Sequence, residues 1–269
     1  MKIILDKTKL IKLLNKEKNI GFVPTMGAIH KGHISLIKKS INQNKKTIVS
    51  IFINKPQFNK KNDFKKYPRV LGKDKKILKK LNVDYIFIPT EKQIYPKGVN
   101  KNIKINNFKK ELCGKNRPNH FEAVVDVIQR FIKIINPKRI YLGKKDMQQL
   151  ILVEDYLKRY KIKTQVIGCE TVRQKNGVAF SSRNLLLSNN DQEIASKIYK
   201  ILKTSKKNIL KKRFKLILLK NKILNLGVKK IDYLKILDIN KIIKRNKKKC
   251  NKKIFIAYYI NSVRLIDNI

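Results

Sequence analysis

The chain has 269 residues, 42% of them hydrophobic, enough for one large or two modest domains with a packed core. Its formal charge is +48 and its pI is near 10.3, which raises nucleic acid or an anionic membrane surface as partners. The lysines, however, run through predicted elements and loops alike, form no single tail or patch and lack interleaved aromatics, so compositional drift is preferred and no specific nucleic-acid or membrane partner is expected.

Three cysteines, Cys113, Cys169 and Cys250, lie far apart, and no C-x-x-C or Cys/His metal spacing occurs. A reduced, cytoplasmic chain with no metal site of its own is expected. The first apolar run is too short for a signal peptide and is interrupted by charge. No segment approaches the roughly 18 apolar residues of a membrane span.

Residues 7–17 have the pattern of a short amphipathic helix. Ile20 to Val23 reads as a buried strand and leads into Pro24-Thr25-Met26-Gly27-Ala28-Ile29-His30-Lys31-Gly32-His33. Helical spacing follows at Ile34, Leu36 and Ile37 and continues to about Gln43. A strand, a turn with two glycines and a helix start would aim backbone N–H groups and a helix dipole at an anion. Gly27 and Gly32 would let the backbone approach that ligand. His30 and His33, three apart, can share one face and donate to phosphate oxygens.

Thr47 to Ile53 is a second buried strand, ending in Asn54-Lys55-Pro56-Gln57-Phe58. Asp63 to Pro68 is expected as loop, Val70 to Leu81 as helix, and Tyr85 to Ile88 as a third strand closed by Pro89. Strands alternating with helices predict a parallel sheet of Rossmann type, with ligands at the carboxyl edge of its strands.

Cys113 to Phe121 is a polar loop leading into a helix from Glu122 to Ile135. Ile140 to Leu142 is a strand followed by Gly143-Lys144-Lys145-Asp146, and a helix begins near Met147 with Gln148 and Gln149 in its first turn. Val166-Ile167 is the last strand of this sheet, and Thr171 to Asn184 a second polar, glycine-bearing loop. From Asp191 helical periodicity runs to about Leu224, followed by strand candidates at Ile231–Leu237, Phe255–Tyr259 and Val263–Ile266. The predicted architecture is α/β: a Rossmann-like domain over residues 1–175 and a smaller α+β domain over 176–269, with the boundary somewhere in 172–190.

The polar loops hold a consistent inventory. His30, His33, Lys145, Ser181, Ser182 and Arg183 suit phosphate; Asn54, Gln57 and Gln149 suit the hydroxyl and carboxylate groups of a small polar substrate. Asn54 is equally suited to a structural place at a strand end, and His120 to bracing its loop. No Ser-His-Asp or Cys-His set, glycosidase carboxylate pair or G-x-x-x-x-G-K-[ST] loop stands out. This points to nucleotide chemistry at an α-phosphate, driven by positioning and electrostatics.

In their order, the block from Pro24 to His33, Asn54 to Phe58, Tyr67-Pro68-Arg69, Arg117-Pro118-Asn119-His120-Phe121, Gly143 to Leu150 and Val172 to Asn184 resemble the pantothenate synthetases (pantoate–β-alanine ligases) of the H-x-G-H nucleotidyltransferase superfamily. The resemblance implies a homodimer that uses ATP with Mg2+ to convert (R)-pantoate to pantoyl adenylate and diphosphate. β-Alanine then gives pantothenate and AMP. It implies His33 as the catalytic donor to the phosphates, with His30, Lys145 and Arg183 in support. An ATP site would run over Met26, Gly27, Ala28, Ile29, His30, Lys31, Gly32 and His33, over Gly143, Lys144, Lys145 and Asp146, and over Val172, Phe180, Ser181, Ser182 and Arg183. Gln57 and Gln149 would bind pantoate, Gln57 also lying near β-alanine, and Asp74 would meet Mg2+ through water.

Several positions depart from the family pattern. The proline of Asn54-Lys55-Pro56-Gln57 is displaced by one, which brings a cationic Lys55 toward the pantoate pocket. Lys144 replaces an acidic residue, Gln174 and Asn176 remove carboxylates, and Asn119 stands where glycine is common. A functioning enzyme of lowered stability is expected. A sibling H-x-G-H transferase would not account for Gln57, Gln149 and the Ser181-Ser182-Arg183 run. Dispersed lysines disfavour a nucleic-acid-binding protein, and the retained His30, His33, Lys145 and Arg183 disfavour an inactive remnant.

Overall fold

The structure, a computed structural model, describes residues 1–210, 215–243 and 251–269; Cys250 lies outside them, while Cys113 and Cys169 are buried free thiols. In chain order the elements are β1 (Lys2–Ile4), α1 (Lys7–Leu14), β2 (Ile20–Thr25), α2 (Lys31–Gln43), β3 (Lys46–Ile51), α3 (Lys61–Lys66), α4 (Leu71–Lys80), β4 (Tyr85–Phe87), α5 (Glu91–Ile94), α6 (Leu112–Asn116), α7 (His120–Ile135), β5 (Arg139–Gly143), α8 (Met147–Arg159) and β6 (Gln165–Cys169). They are followed by α9 (Asn189–Leu210), α10 (Leu216–Leu224), β7 (Lys230–Asp238), α11 (Ile239–Ile242), β8 (Lys252–Ile260) and β9 (Val263–Asn268).

The first six strands form one sheet in the order β1-β4-β3-β2-β5-β6, parallel at every pairing. Both faces are covered. Ile20 and Phe22 of β2, Ile48 of β3 and Phe87 of β4 pack toward α1, α7 and α8, whereas Val23, Val49 and Ile86 pack toward α2 and α4. Two-sided burial explains why these strands read as continuous apolar runs. From β2 the sheet grows through β3 and β4 on one side, and it resumes with β5 and β6 on the other. The chain therefore reverses direction between β2 and β5, and their carboxyl ends open a crevice.

A second core gathers Val178, Leu187, the inner face of α9 (Ala195, Ile198, Leu202), Leu219 and Ile223 of α10, and the inner face of the antiparallel sheet β7-β8-β9. Phe255 of β8 and Ile239 of α11 join the first core instead, so the smaller sheet is packed onto the larger unit. No helix among the described residues is long and apolar enough to cross a membrane.

Three local expectations change. β1, which pairs with β4, has no counterpart in the sequence pattern: it is a three-residue edge strand with only Ile4 buried. Asp63 to Pro68 is not all loop, since α3 occupies Lys61–Lys66; it buries no residue, so it leaves no apolar period to read, and Pro68 prevents its extension. The polar loop at residues 113–121 contains α6, and α7 starts at His120, after Asn119 in the left-handed region (φ 60°). Asparagine tolerates that conformation, so glycine is not required there.

Candidate active site

The crevice at the β2/β5 reversal is a cavity of about 630 Å³. Its wall includes Met26, His30, Gly32 and His33 from the first turn, Gln57, then Gly143, Lys145, Asp146 and Gln149, then Val172, Phe180, Ser181, Ser182 and Arg183. Gly27, Ala28, Ile29, Lys31 and Lys144 do not face it.

The turn after β2 is built differently from the expectation. Thr25 Oγ1 donates to Ser50 O at 2.7 Å and accepts from Gly27 N at 3.2 Å, tying the turn to β3. Gly27 has φ +80° and Ala28 follows at φ 50°. The Ala28 and Ile29 N–H groups donate to the two oxygens of Asp74, at 2.9 and 2.7 Å. They point at a buried carboxylate, not at the cavity, and Asp74 (1% exposed) clamps the turn. Gly32 is required for its own neighbour rather than for a ligand: a Cβ there would lie 2.9 Å from the His30 ring.

His30 caps α2, its Nδ1 accepting from His33 N at 3.4 Å, which leaves the ring proton on Nε2. The two imidazoles stack at 3.9 Å between centroids. Burial and then nearby Lys145 lower His30 to about 4. Burial, His30 and Lys145 hold His33 well below the ordinary 6.5. Both rings are therefore neutral near pH 7 and donate as N–H groups, not as cations. His33 Nδ1 is buried without a partner among the described residues, a polar atom suited to a ligand. Lys145 Nζ donates to Phe180 O at 3.2 Å, and burial pulls its pKa below the ordinary lysine value.

The loop at residues 171–184 folds back through the Arg173–Ala179 bridge and is anchored to β9 by Arg173, whose guanidinium meets both oxygens of Asp267 at 2.7 and 2.9 Å. Gly177 sits at φ +91°, and a Cβ there would lie 2.0 Å from the Tyr199 ring. Two expected phosphate donors have protein partners: Ser182 Oγ donates to Ala28 O at 3.1 Å, and Arg183 Nη2 meets the Asp63 carboxylate at 2.9 and 3.1 Å. Lys144 turns away to pair with Glu170. Its backbone carbonyl and that of Lys145 accept from Asn268 Nδ2 at 2.9 and 2.8 Å, which fixes the turn after β5.

At the other end of the cavity Gln57 Nε2 reaches Met26 Sδ at 3.0 Å. Asn54, buried at the cavity wall, takes the Tyr95 hydroxyl at 2.6 Å and donates to Ala123 O and Gln57 Oε1 at 3.2 Å. The Gln57 carbonyl accepts from His120 Nδ1 at 2.8 Å and from Arg117 Nη2 at 3.0 Å, while Arg117 Nη1 lies 3.0 Å from His120 Nε2. Lys55 is exposed and does not line the cavity, contrary to the expectation that its charge enters the pantoate pocket.

The sequence matches the family model for pantoate-beta-alanine ligase over residues 2–269. Relatives named pantothenate synthetase from Francisella tularensis subsp. novicida and subsp. tularensis are 44% identical over 259 residues, covering 95% of this chain and 90% of theirs. The chain belongs to the pantoate-beta-alanine ligase family. The pantoate-beta-alanine ligase of F. tularensis, solved in complex with beta-gamma ATP and beta-alanine, aligns with a TM-score of 0.85 at 41% identity over 100% of this chain and 97% of that one. Pantothenate synthetase from Thermus thermophilus gives a TM-score of 0.89 at 29% identity, covering 100% and 99%.

Within a ligase of this family, three contributors to the cavity escaped the sequence reading as site residues. Arg117 carries no helical or strand period, and its place in the Arg117-Pro118-Asn119-His120-Phe121 block marked it without a role. Tyr67 is buried against the cavity with the Arg183 guanidinium 5.5 Å from its ring. Arg264 of β9 also reaches the wall, held by Asp232 at 2.8 Å. It lies in a strand whose alternation reads as packing alone.

Proposed function

We propose that this chain joins pantoate to β-alanine at the expense of ATP, through pantoyl adenylate. One observation carries the reading: a single crevice holds a neutral histidine pair with Lys145 at one end and the amides of Gln57 and Gln149 beyond it. The triphosphate lies toward His30, His33 and Lys145, and Mg2+ arrives with ATP as part of the substrate. A pantoate carboxylate oxygen attacks the α-phosphorus, the P–O bond to the β-phosphate breaks, and the electron pair leaves with diphosphate. His33 and Lys145 offset the charge that builds on the phosphate oxygens. The β-alanine amine, as the free base, then attacks the acyl carbon. The C–N bond forms, the C–O bond to AMP breaks, and the amine proton passes to solvent. Gln57 and Gln149 orient pantoate, and Asp146 faces the nucleotide. On the resemblance we also read the protein as a cytoplasmic homodimer, with residues 1–175 as the ATP and pantoate domain and 176–269 as the smaller covering domain.

Pantoate-dependent ATP–diphosphate exchange, with AMP release on adding β-alanine, tests this reading. Exchange that requires pantoate and release that requires β-alanine support it. Exchange with another acid or acceptor would move the chain to a sibling transferase.

A further inference from the structure

We propose that Asn268, in the last strand of the small sheet, is a positioning residue for the ATP half-reaction: it holds the turn after β5 so that Lys145 reaches the phosphates. This assignment rests on the ligase reading and deepens it.

Lys145 cannot aim itself. Its ammonium stands at the end of a flexible stem, and its Nζ meets a neutral group, the Phe180 carbonyl, at 3.2 Å. Burial works against its charge, while Asp146 and then Asp267 work for it. Two things therefore decide where the ammonium stands: the backbone from which the stem leaves, and the loop that carries Phe180.

Both are held from β9. Asn268 is 4% exposed and lies off the cavity wall, so it acts through other residues. Its Nδ2 directs both hydrogens at the carbonyls of Lys144 and Lys145, at 2.9 and 2.8 Å. Beside it, Asp267 takes the Arg173 guanidinium of the loop at residues 171–184 on both oxygens. Asn268 also closes that junction: its N–H donates to Asp267 Oδ1 at 2.8 Å, and its carbonyl accepts from Arg173 Nη2 at 3.3 Å. Lys145 and Phe180, 35 residues apart, are thus referred to one point of one strand. That point is itself anchored, because Asn268 pairs with Phe255, which is buried in the first core.

An amide is what this place needs. Two carbonyl oxygens converge on one nitrogen that carries two hydrogens and no charge. Aspartate has the same shape but would set a carboxylate against both carbonyls, and alanine would leave both without this donor. The consequence reaches the chemistry because Lys145 offsets charge that builds as diphosphate leaves. A group misplaced by about 1 Å at that moment can cost about 10²-fold in rate.

The test uses the full chain as wild type, Asn268→Ala, Asn268→Asp, Lys145→Ala and the double variant Asn268→Ala with Lys145→Ala. Pantoate-dependent ATP–diphosphate exchange and melting temperature are read for each. Asn268→Ala should lower the exchange kcat about 30-fold, while the KM for β-alanine in the full reaction stays within about 2-fold of wild type. Asn268→Asp should lose at least as much. In the Lys145→Ala background the change Asn268→Ala should cost no more than about 3-fold, because the group that Asn268 aims is already gone. An equal loss in both backgrounds, or an unchanged exchange kcat in a folded Asn268 variant, would overturn the assignment of Asn268 alone. Failure of both Asn268 variants to fold would make the residue a stability element and overturn it as well. Absence of exchange in the wild type would overturn the ligase reading and this assignment with it.

Discussion

The two ends of the cavity use the same materials to different effect. At one end two neutral histidines stand beside Lys145; at the other a neutral histidine stands beside Arg117. In each case burial keeps the imidazole uncharged and a cation deepens the shift. They differ in what remains unsatisfied. His33 keeps a buried Nδ1 without a partner among the described residues, whereas both nitrogens of His120 are taken by Gln57 and Arg117. An open nitrogen is available to a ligand, and a closed one is not. Residue type and pKa do not separate these roles; hydrogen-bond accounting does.

The largest effect should separate the two ends outright. His33→Ala should lower pantoate-dependent exchange by about 10²–10⁴-fold, the range for a lost positioned donor, while His120→Ala should lower it by about 10-fold or less. Equal losses in an exchange assay would erase the distinction. Next comes the clamp beneath the first end. Asp74→Ala leaves the buried Ala28 and Ile29 N–H groups without acceptors, for a stability loss of about 2–4 kcal/mol and a raised KM for ATP. Chemical denaturation and initial-rate kinetics check both.

Acidification should act on both ends. His30, His33 and His120 all have folded pKa values below the unfolded 6.5. Below pH 6.5 the unfolded chain binds protons that the folded chain refuses, so stability present above 6.5 is lost as pH falls, for His30 down to about 4. ATP should flatten the His30 and His33 contribution by supplying negative charge, and leave that of His120 in place. Melting temperatures from pH 7.5 to 4.5, with and without ATP, read this out. A melting temperature that is flat, or that rises on acidification, would contradict it. The smallest effect belongs to Lys55→Ala: an exposed side chain outside the cavity should change stability by no more than about 0.5 kcal/mol and leave the KM for pantoate unchanged.

The sheet was legible because its strands are buried on both faces, and helices α2, α4, α7 and α8 because one face of each is apolar. β1 and α3 were not, having one buried residue and none. In the candidate site, residue types pointed to loops that meet at one cavity, and His30, His33, Lys145, Gln57 and Gln149 all line it. What spacing could not show is where each polar group spends its hydrogen bonds. Asp74 lies 45 residues from Ile29, and Asp63 lies 120 from Arg183, so neither pairing leaves a local pattern. The same holds for Arg173 with Asp267, a pair 94 residues apart that joins the loop at residues 171–184 to the last strand.

The most direct measurement follows an oxygen atom. With pantoate labelled by ¹⁸O in its carboxylate, turnover with ATP and β-alanine should deliver one heavy oxygen into AMP, because the acyl C–O bond breaks after the carboxylate oxygen has bonded to the α-phosphorus. Label in AMP at one atom per pantothenate formed is the predicted mass spectrum. Unlabelled AMP, with the heavy oxygen in diphosphate or inorganic phosphate, would contradict the adenylate route.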